Sequence, residues 1–463
     1  MPYVLGIHLG ATATSAAIAR REGGRWAAAA PVPLGSGSAG VPTVLCRAQD
    51  GSYLAGEQAQ RQELTHHQWV ARGFTRRVGE DAPLLVGNDF VQPHALAATM
   101  IEWVADAVAH RQGHPPEHIA VAHSANWGPH RTHVVHQALA QLGISDVTLL
   151  PEPVAVAMDY ASKQRVEEGG AIAVGNIGGT GFDATVLRRR TPGFEVVGPP
   201  LDSPHPGGQD LDDALFEHIR AELGGLAGLD VSDFNVRASL AQLRGDCVHA
   251  RETLSFHPGA TLRIHLPKAN TDFAVSRSRF EKLARTHLER VPELVLQAVQ
   301  SANLTPGELD AVVLAGGVAR TPLLKQLVQE RLERQPLVDG VPELVAACGA
   351  AVSAVKAVST DGDQAASMAE TSVLMRIEAP DHDPNLLDPL DDDVAESPRP
   401  PVEVEPMHIE PPDERRQRLF KILKLTLAAL LVIAGLIMTF YGTPSTGGLL
   451  GGAGGPASQQ QQR

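Results

Sequence analysis

Residues 172–187 read IAVGNIGGTGFDATVL. The stretch starts apolar, passes through Gly178-Gly179-Thr180-Gly181, and returns to alternating apolar residues. That pattern predicts two strands joined by a glycine-rich turn. Glycines at such a turn permit positive φ and let backbone N–H groups close on an anion. The start of the chain has the same form: Tyr3-Val4-Leu5-Gly6-Ile7, then His8-Leu9-Gly10-Ala11-Thr12, then Ser15-Ala16-Ala17-Ile18. Two such units about 170 residues apart point to a duplicated lobe. One glycine hairpin alone is equally a plain tight turn; the pair is the stronger signal.

Working outward, 463 residues leave room for two to four domains, and 43% hydrophobic residues can bury a large core. Aromatics make up only 4%, so that core is mostly aliphatic. Cys46, Cys247 and Cys348 are odd in number, far apart and without CxxC spacing. They argue against a disulfide framework or a zinc site and fit a reducing cytosol. The N-terminal apolar run is short, glycine-broken and lacks a basic flank, unlike a signal peptide. The formal charge of −14 is local: between Asp361 and Glu414 stand 16 acids against Arg376 and Arg399, and the remainder sums to zero. Acidity confined to one segment indicates no nucleic-acid surface.

In the first lobe, Val41–Leu45 and Tyr53–Ala55 read as strands, Ala95–Ala109 as a helix, and Ile119–His123 as a buried strand. A helix over Arg131–Leu142 stops at Gly143, and the strand Val147–Leu150 leads through Pro151-Glu152-Pro153 into a helix over Val154–Ser162. The second lobe starts near Gly169. Gly207–Asp212 opens a helix, Phe234–Leu254 forms another, and Leu262–Leu266 and Asp272–Val275 pair as strands. One helix is expected from Ser276 to Ala302, then a buried strand over Ala311–Ala315 and the turn Gly316–Pro322.

From about Val358 to Arg418 periodicity is lost, and Pro, Asp and Glu dominate. That composition predicts a disordered, self-repelling linker. Leu419–Tyr441 is continuously apolar except for Lys421 and Lys424, and spans about 30 Å as a helix, enough for a bilayer core. A disordered linker before it and a Gly/Gln tail after it leave nothing else to bury it. Arg415, Arg416, Arg418, Lys421 and Lys424 all precede or open the stretch, which places the large N-terminal part in the cytoplasm and the tail across the membrane.

These pieces, in this order, resemble the nucleotide-binding domain of the DnaK (seventy-kilodalton heat-shock) family, in the actin/hexokinase ATPase superfamily. The resemblance covers residues 1 to about 357. Gly6–Gly10 resembles the first phosphate hairpin, Pro151–Ala157 the first connecting helix, and Asn176–Asp183 the second phosphate hairpin. Gly316–Pro322 resembles the adenosine motif, and Pro342–Ala351 the closing helix. The resemblance implies an α/β, actin-like ATPase fold, two lobes with mixed sheets flanked by helices, to which a single C-terminal transmembrane helix is added. The domains are 1–168 and 169–357 for the lobes, 358–418 for the linker, 419–441 for the membrane helix and 442–463 for the tail. It also implies nucleotide contacts from Gly10, Thr12, Gly178, Gly179, Arg251, Ser255, Gly316, Gly317, Arg320 and Glu343, with ATP or ADP as ligand.

The chain departs from the family where the chemistry lies. Acids that hold hydrated Mg²⁺ in the family's hairpins are here His8 and Asn176; the first hairpin has Ala11 for a threonine, and Gly181 replaces a second threonine. The family's catalytic lysine belongs near Gly73–Gly79, yet the first lysine of this chain is Lys163; the matching position is Thr75, beside Arg76 and Arg77. Phosphoryl transfer depends on positioning and on neutralising phosphate charge. A divalent ion wants carboxylate and water oxygens. Glu152 and Asp183 remain as catalytic candidates, no metal ligand set is assigned, and Mg²⁺ is disfavoured. Asp183 reads equally as a turn-capping residue, and His8 as a satisfied core histidine or as an imidazolium standing in for metal charge.

The family's peptide-binding domain and lid give way here to the linker and apolar stretch. The leading reading is a membrane-anchored, weak or inactive ATPase that senses nucleotide or scaffolds an unidentified protein partner at the cytoplasmic face. The alternatives are a working chaperone-type ATPase with a rebuilt site, and an actin-like membrane scaffold recruiting an envelope or secretion complex. A sugar kinase fits the ordered motifs less well.

Overall fold

Two sheets with one strand order carry the chain. The computed structural model describes residues 1–36, 40–224, 229–230, 232–266 and 269–374. In the first sheet β1 (Tyr3–Leu9) pairs antiparallel with β2 (Ala13–Glu22), whose far edge meets β3 (Ala30–Val32). Helix α1 (Pro93–Gln112) precedes β4 (Ile119–His123), which lies parallel to β1. Helix α2 (Pro129–Gln141) precedes β5 (Val147–Pro151), parallel to β4. Helix α3 (Glu152–Lys163) then leads into the second lobe. There β6 (Ala171–Ile177), β7 (Phe182–Arg190) and β8 (Gly193–Ser203) run antiparallel. Strands β9 (Ala311–Ala315) and β10 (Leu337–Val338) add in parallel beyond β6. Among these ten strands both sheets read fifth, fourth, first, second, third, as a duplicated lobe requires; in the first, Arg25–Trp26 and Gly40–Pro42 also pair with β2.

The central strands β1, β4, β6 and β9 are buried nearly end to end, which is why they read as apolar runs rather than alternations. Each lobe has its own core, the first around Leu5, Phe74, Leu96 and Ile101, the second around Phe182, Leu215, Phe280 and Leu324. A third core joins them. It is built of small residues, among them Ala120, Ala122, Ala155, Ala157, Ala311, Ala346 and Ala350. Small side chains let α3 and the closing helix α9 (Val345–Leu374) approach backbone to backbone. A Cβ on Gly349 would fall on the Ala155 carbonyl, and one on Gly6 on the backbone of Ala347 and Ala351.

Helices α4 (Gly208–Glu222), α5 (Phe234–Phe256), α6 (Arg277–Leu288), α7 (Arg290–Ser301) and α8 (Pro322–Leu332) complete the second lobe. The single helix expected over 276–302 is two, broken at Glu289. Pro292 falls in the first turn of the second helix, where its missing N–H costs no hydrogen bond. The expected strand 41–45 is interrupted at Thr43, whose N–H donates to the Thr12 carbonyl (2.9 Å) and whose hydroxyl donates to the Gly10 carbonyl (2.9 Å), pinning the first hairpin. The linker expected from residue 358 starts inside α9, which continues to Leu374. The rest of it, the apolar stretch 419–441 and the tail 442–463 lie outside the described residues. Among the described residues no helix is long and apolar enough to cross a membrane.

Candidate functional site

The duplication places His8 and Asn176 alike, each the penultimate residue of its lobe's first strand. His8 faces across the carboxyl ends of β4 and β5 toward Glu152, the first residue of α3. His8 Nε2 lies 2.8 Å from Glu152 Oε1, with the side chains 15% and 10% exposed. Burial lowers the basicity of the imidazole, but the neighbouring carboxylate outweighs it, and the net shift is upward, toward imidazolium. Asn176 stands directly opposite Asp183 across β6 and β7, and its Nδ2 donates to Asp183 Oδ2 (3.0 Å). Burial, then the negative charge of Glu152, pushes the Asp183 carboxyl well above the usual carboxylate range, against the opposing Asn176 donor. Asp183 Oδ1 and Asn176 Oδ1 are buried without a partner.

The hairpins meet. A Cβ on Gly179 would sit 2.5 Å from the Thr12 hydroxyl oxygen. Within the second turn, Gly178 N–H donates to the Gly181 carbonyl (3.0 Å). The carbonyls of Gly178 and Gly179 accept from Gly208 and Gln209 at the start of α4 (2.9 and 2.8 Å). Gly316, at φ 84°, turns the chain directly against the second hairpin. A Cβ there would fall on the Ile177 carbonyl and 2.8 Å from Asn176 Oδ1. Gly317 faces open space. Between the lobes, a groove of about 880 Å³ is lined by Glu57, Gln60 and Arg61 on one side and Gln209, Asp212 and Arg244 on the other.

Residues 84–369 match the family model described as Hsp70 protein. This chain belongs to the Hsp70 family. It is 28% identical over 366 residues to the chaperone protein DnaK of Elusimicrobium minutum, covering 76% of this chain and 58% of that protein. DnaK proteins of Thermotoga petrophila and Thermotoga neapolitana are 24% identical, over 78% of this chain and 60% of theirs. The chain thus spans about three fifths of the length of these relatives. Hsp70 family domains bind ATP or ADP, and the two-lobed α/β architecture is that of the Hsp70 actin-like ATPase fold.

Within this Hsp70 frame the sites named from sequence separate into two groups. Gly10, Thr12, Gly178, Gly179 and Gly316 converge around the hairpins, with Glu152 and Asp183 beneath them. The polar side chains named as nucleotide contacts in the second lobe are engaged within the protein. Arg251 Nε donates to Asp212 Oδ1 (2.6 Å), and both groups are largely buried. Ser255 Oγ donates back to the Arg251 carbonyl (3.3 Å). Arg320 forms a two-pronged pair with Glu343 (Nε to Oε2, 3.0 Å) and lies over the Phe256 ring at 5.2 Å. Thr43 and Phe256 were not singled out in the sequence. Thr43 sits in what reads as an ordinary strand, and Phe256 lies just past the expected helix Phe234–Leu254.

The residues fit a nucleotide better than they fit its usual metal. Glycine turns leave room for backbone approach to phosphates, and a side chain on Gly317 would meet nothing within 4 Å. Both carboxylates that a hydrated divalent ion would use at the hairpins are engaged or shifted: Glu152 pairs with His8, and burial drives Asp183 toward its neutral form. Among the described residues no group of three His, Cys, Asp or Glu is placed to hold a metal.

Proposed function

We propose that this Hsp70-type domain binds ATP or ADP without needing Mg²⁺ and hydrolyses it very slowly or not at all. In this reading it serves as a nucleotide sensor or scaffold, tethered to the cytoplasmic face of a membrane by residues 419–441. The observation that carries the reading is the His8–Glu152 ion pair. It puts an imidazole, shifted toward its charged form by the neighbouring carboxylate, where the resemblance expects an acid and a metal. Charge neutralisation at the phosphates is a large part of phosphoryl-transfer catalysis, so losing the metal removes rate before it removes binding.

The test is titration of the full chain in detergent with ATP and with ADP, in Mg²⁺ and in a chelator, alongside steady-state phosphate release. Binding insensitive to the chelator, with negligible turnover, is the expected result. Robust Mg²⁺-dependent turnover would sink it. The tether is tested separately by protease added to intact cells, which should spare residues 1–357; their loss while a C-terminal tag stays protected would reverse the orientation.

A further inference from the structure

Two histidines stand at the carboxyl ends of strands in the first sheet, and they are spent differently. His123, the last residue of β4, is 1% exposed; its Nδ1 lies 2.9 Å from the Ser124 carbonyl oxygen and its ring stacks on Trp127. His8 keeps one nitrogen free. Its Nε2 is buried against Glu152, and among the described residues nothing is hydrogen-bonded to its Nδ1. The ring lies against the first hairpin: a Cβ on Gly10 would stand 3.1 Å from its Cε1 and 3.3 Å from its Nε2. Nδ1 is thus one covalent bond from the ring atom nearest the glycine turn.

This is the placement of a nucleophile with its orienting group. A carboxylate that accepts a hydrogen bond from Nε2 fixes the tautomer whose lone pair is on Nδ1. It also stabilises the positive charge that the ring gains on attack. Glu152 is itself held as the first residue of α3, between Pro151 and Pro153. The two hairpins close on the same space: Gly179 abuts Thr12, and Arg76 of the first lobe donates to the Thr180 carbonyl across the cleft. The hairpin hydroxyls, Thr12 and Thr180, must each lose a proton to attack, and no base is bonded to either among the described residues.

We propose that His8 is a phosphorylation site of this chain, its Nδ1 taking the γ-phosphoryl group of a nucleoside triphosphate held at the glycine hairpins. The proposal rests on the nucleotide reading above. The reacting form is the imidazole with its one proton on Nε2. Its Nδ1 lone pair forms the new N–P bond. The bond from the γ-phosphorus to the β–γ bridging oxygen breaks, and its electron pair leaves with the nucleoside diphosphate. The Nε2 proton stays between the ring and Glu152. No water is consumed, so a single transfer per chain is compatible with negligible steady-state hydrolysis. It turns a passing nucleotide contact into a covalent mark that a sensor can hold.

The full chain in detergent is incubated with ATP labelled on the γ-phosphate or on the α-phosphate, in Mg²⁺ and in a chelator. The labelled protein is then digested and the modified residue mapped by mass spectrometry. The expected result is γ-label alone, on His8, lost in acid and kept in base as a phosphoramidate is. His8→Gln takes up none, and Glu152→Gln is labelled at least about tenfold more slowly. The mapping is done on the unsubstituted chain, so a folding defect in either variant leaves the test intact. Acid-stable label on Thr12 or Thr180 overturns the proposal, and so does ATP binding with no label in either condition; both leave the nucleotide reading standing. No ATP binding by the unsubstituted chain overturns both.

Discussion

His8 Nε2 lies 2.8 Å from Glu152 Oε1, joining the end of β1 to the start of the helix that connects the lobes. Removing one partner of a nearly buried ion pair leaves the other uncompensated. His8→Asp goes further and sets two carboxylates face to face. It is expected to cost about 3 kcal/mol of stability, with part restored by added Mg²⁺. Thermal melts with and without the metal measure this; an unshifted midpoint in both would show that the pair holds nothing.

His123 stacks on Trp127 with ring centroids 4.8 Å apart, and burial pushes its imidazole down to about 4. A depressed histidine binds fewer protons folded than unfolded, so it adds stability as pH rises from about 4 to its ordinary 6.5. Across that window the loss on acidification is about 3 kcal/mol. Asp183, raised by burial, works the other way: its contribution is present below its ordinary value and fades as pH rises through the folded one. His8 behaves likewise at higher pH. Its contribution is complete below 6.5 and is lost as pH climbs through the raised folded value. Urea melts from pH 4 to 7 should show that His123→Gln loses the acid-side slope. An identical slope in variant and parent would assign it elsewhere.

Backbone contact at Gly349 sets a packing limit. Gly349→Val forces side-chain atoms into the Ala155 carbonyl and is expected to destabilise by about 3 kcal/mol. Gly317→Ala, which adds its methyl to open space, should be close to neutral by comparison. Denaturant midpoints of the two variants decide it; equal midpoints would mean that α9 and α3 do not approach so closely.

The same open space makes Gly317→Trp a selective probe of the cleft. It should fold normally and abolish ATP and ADP binding. Ser255→Ala should weaken affinity without a stability cost. Arg251→Ala is expected to lower both, because it strands Asp212 in a mostly buried position at about 3 kcal/mol. Calorimetric titration paired with melts separates the effects, and full affinity in all three would move the nucleotide away from this cleft.

The amino-acid sequence alone carried the duplicated hairpins, most of the strands and helices along the chain, and the family resemblance. Those follow from short-range signals: glycine turns, apolar runs and spacing along the chain. It also marked the losses at His8, Asn176 and the lysine-free first lobe, because residue types are visible without coordinates. The break at Glu289 was partly legible, since Pro292 is compatible with a new helix start as well as with a continuous one. The partners of the charged groups were not legible. That His8 faces Glu152, that Arg251 and Arg320 are already paired, and that Arg76 rather than Thr75 crosses the cleft depend on side chains brought together from 23 to 144 positions apart. Such contacts are set by how two sheets and two small-residue helices pack, and the burial that decides each group's charge exists only after that packing is complete.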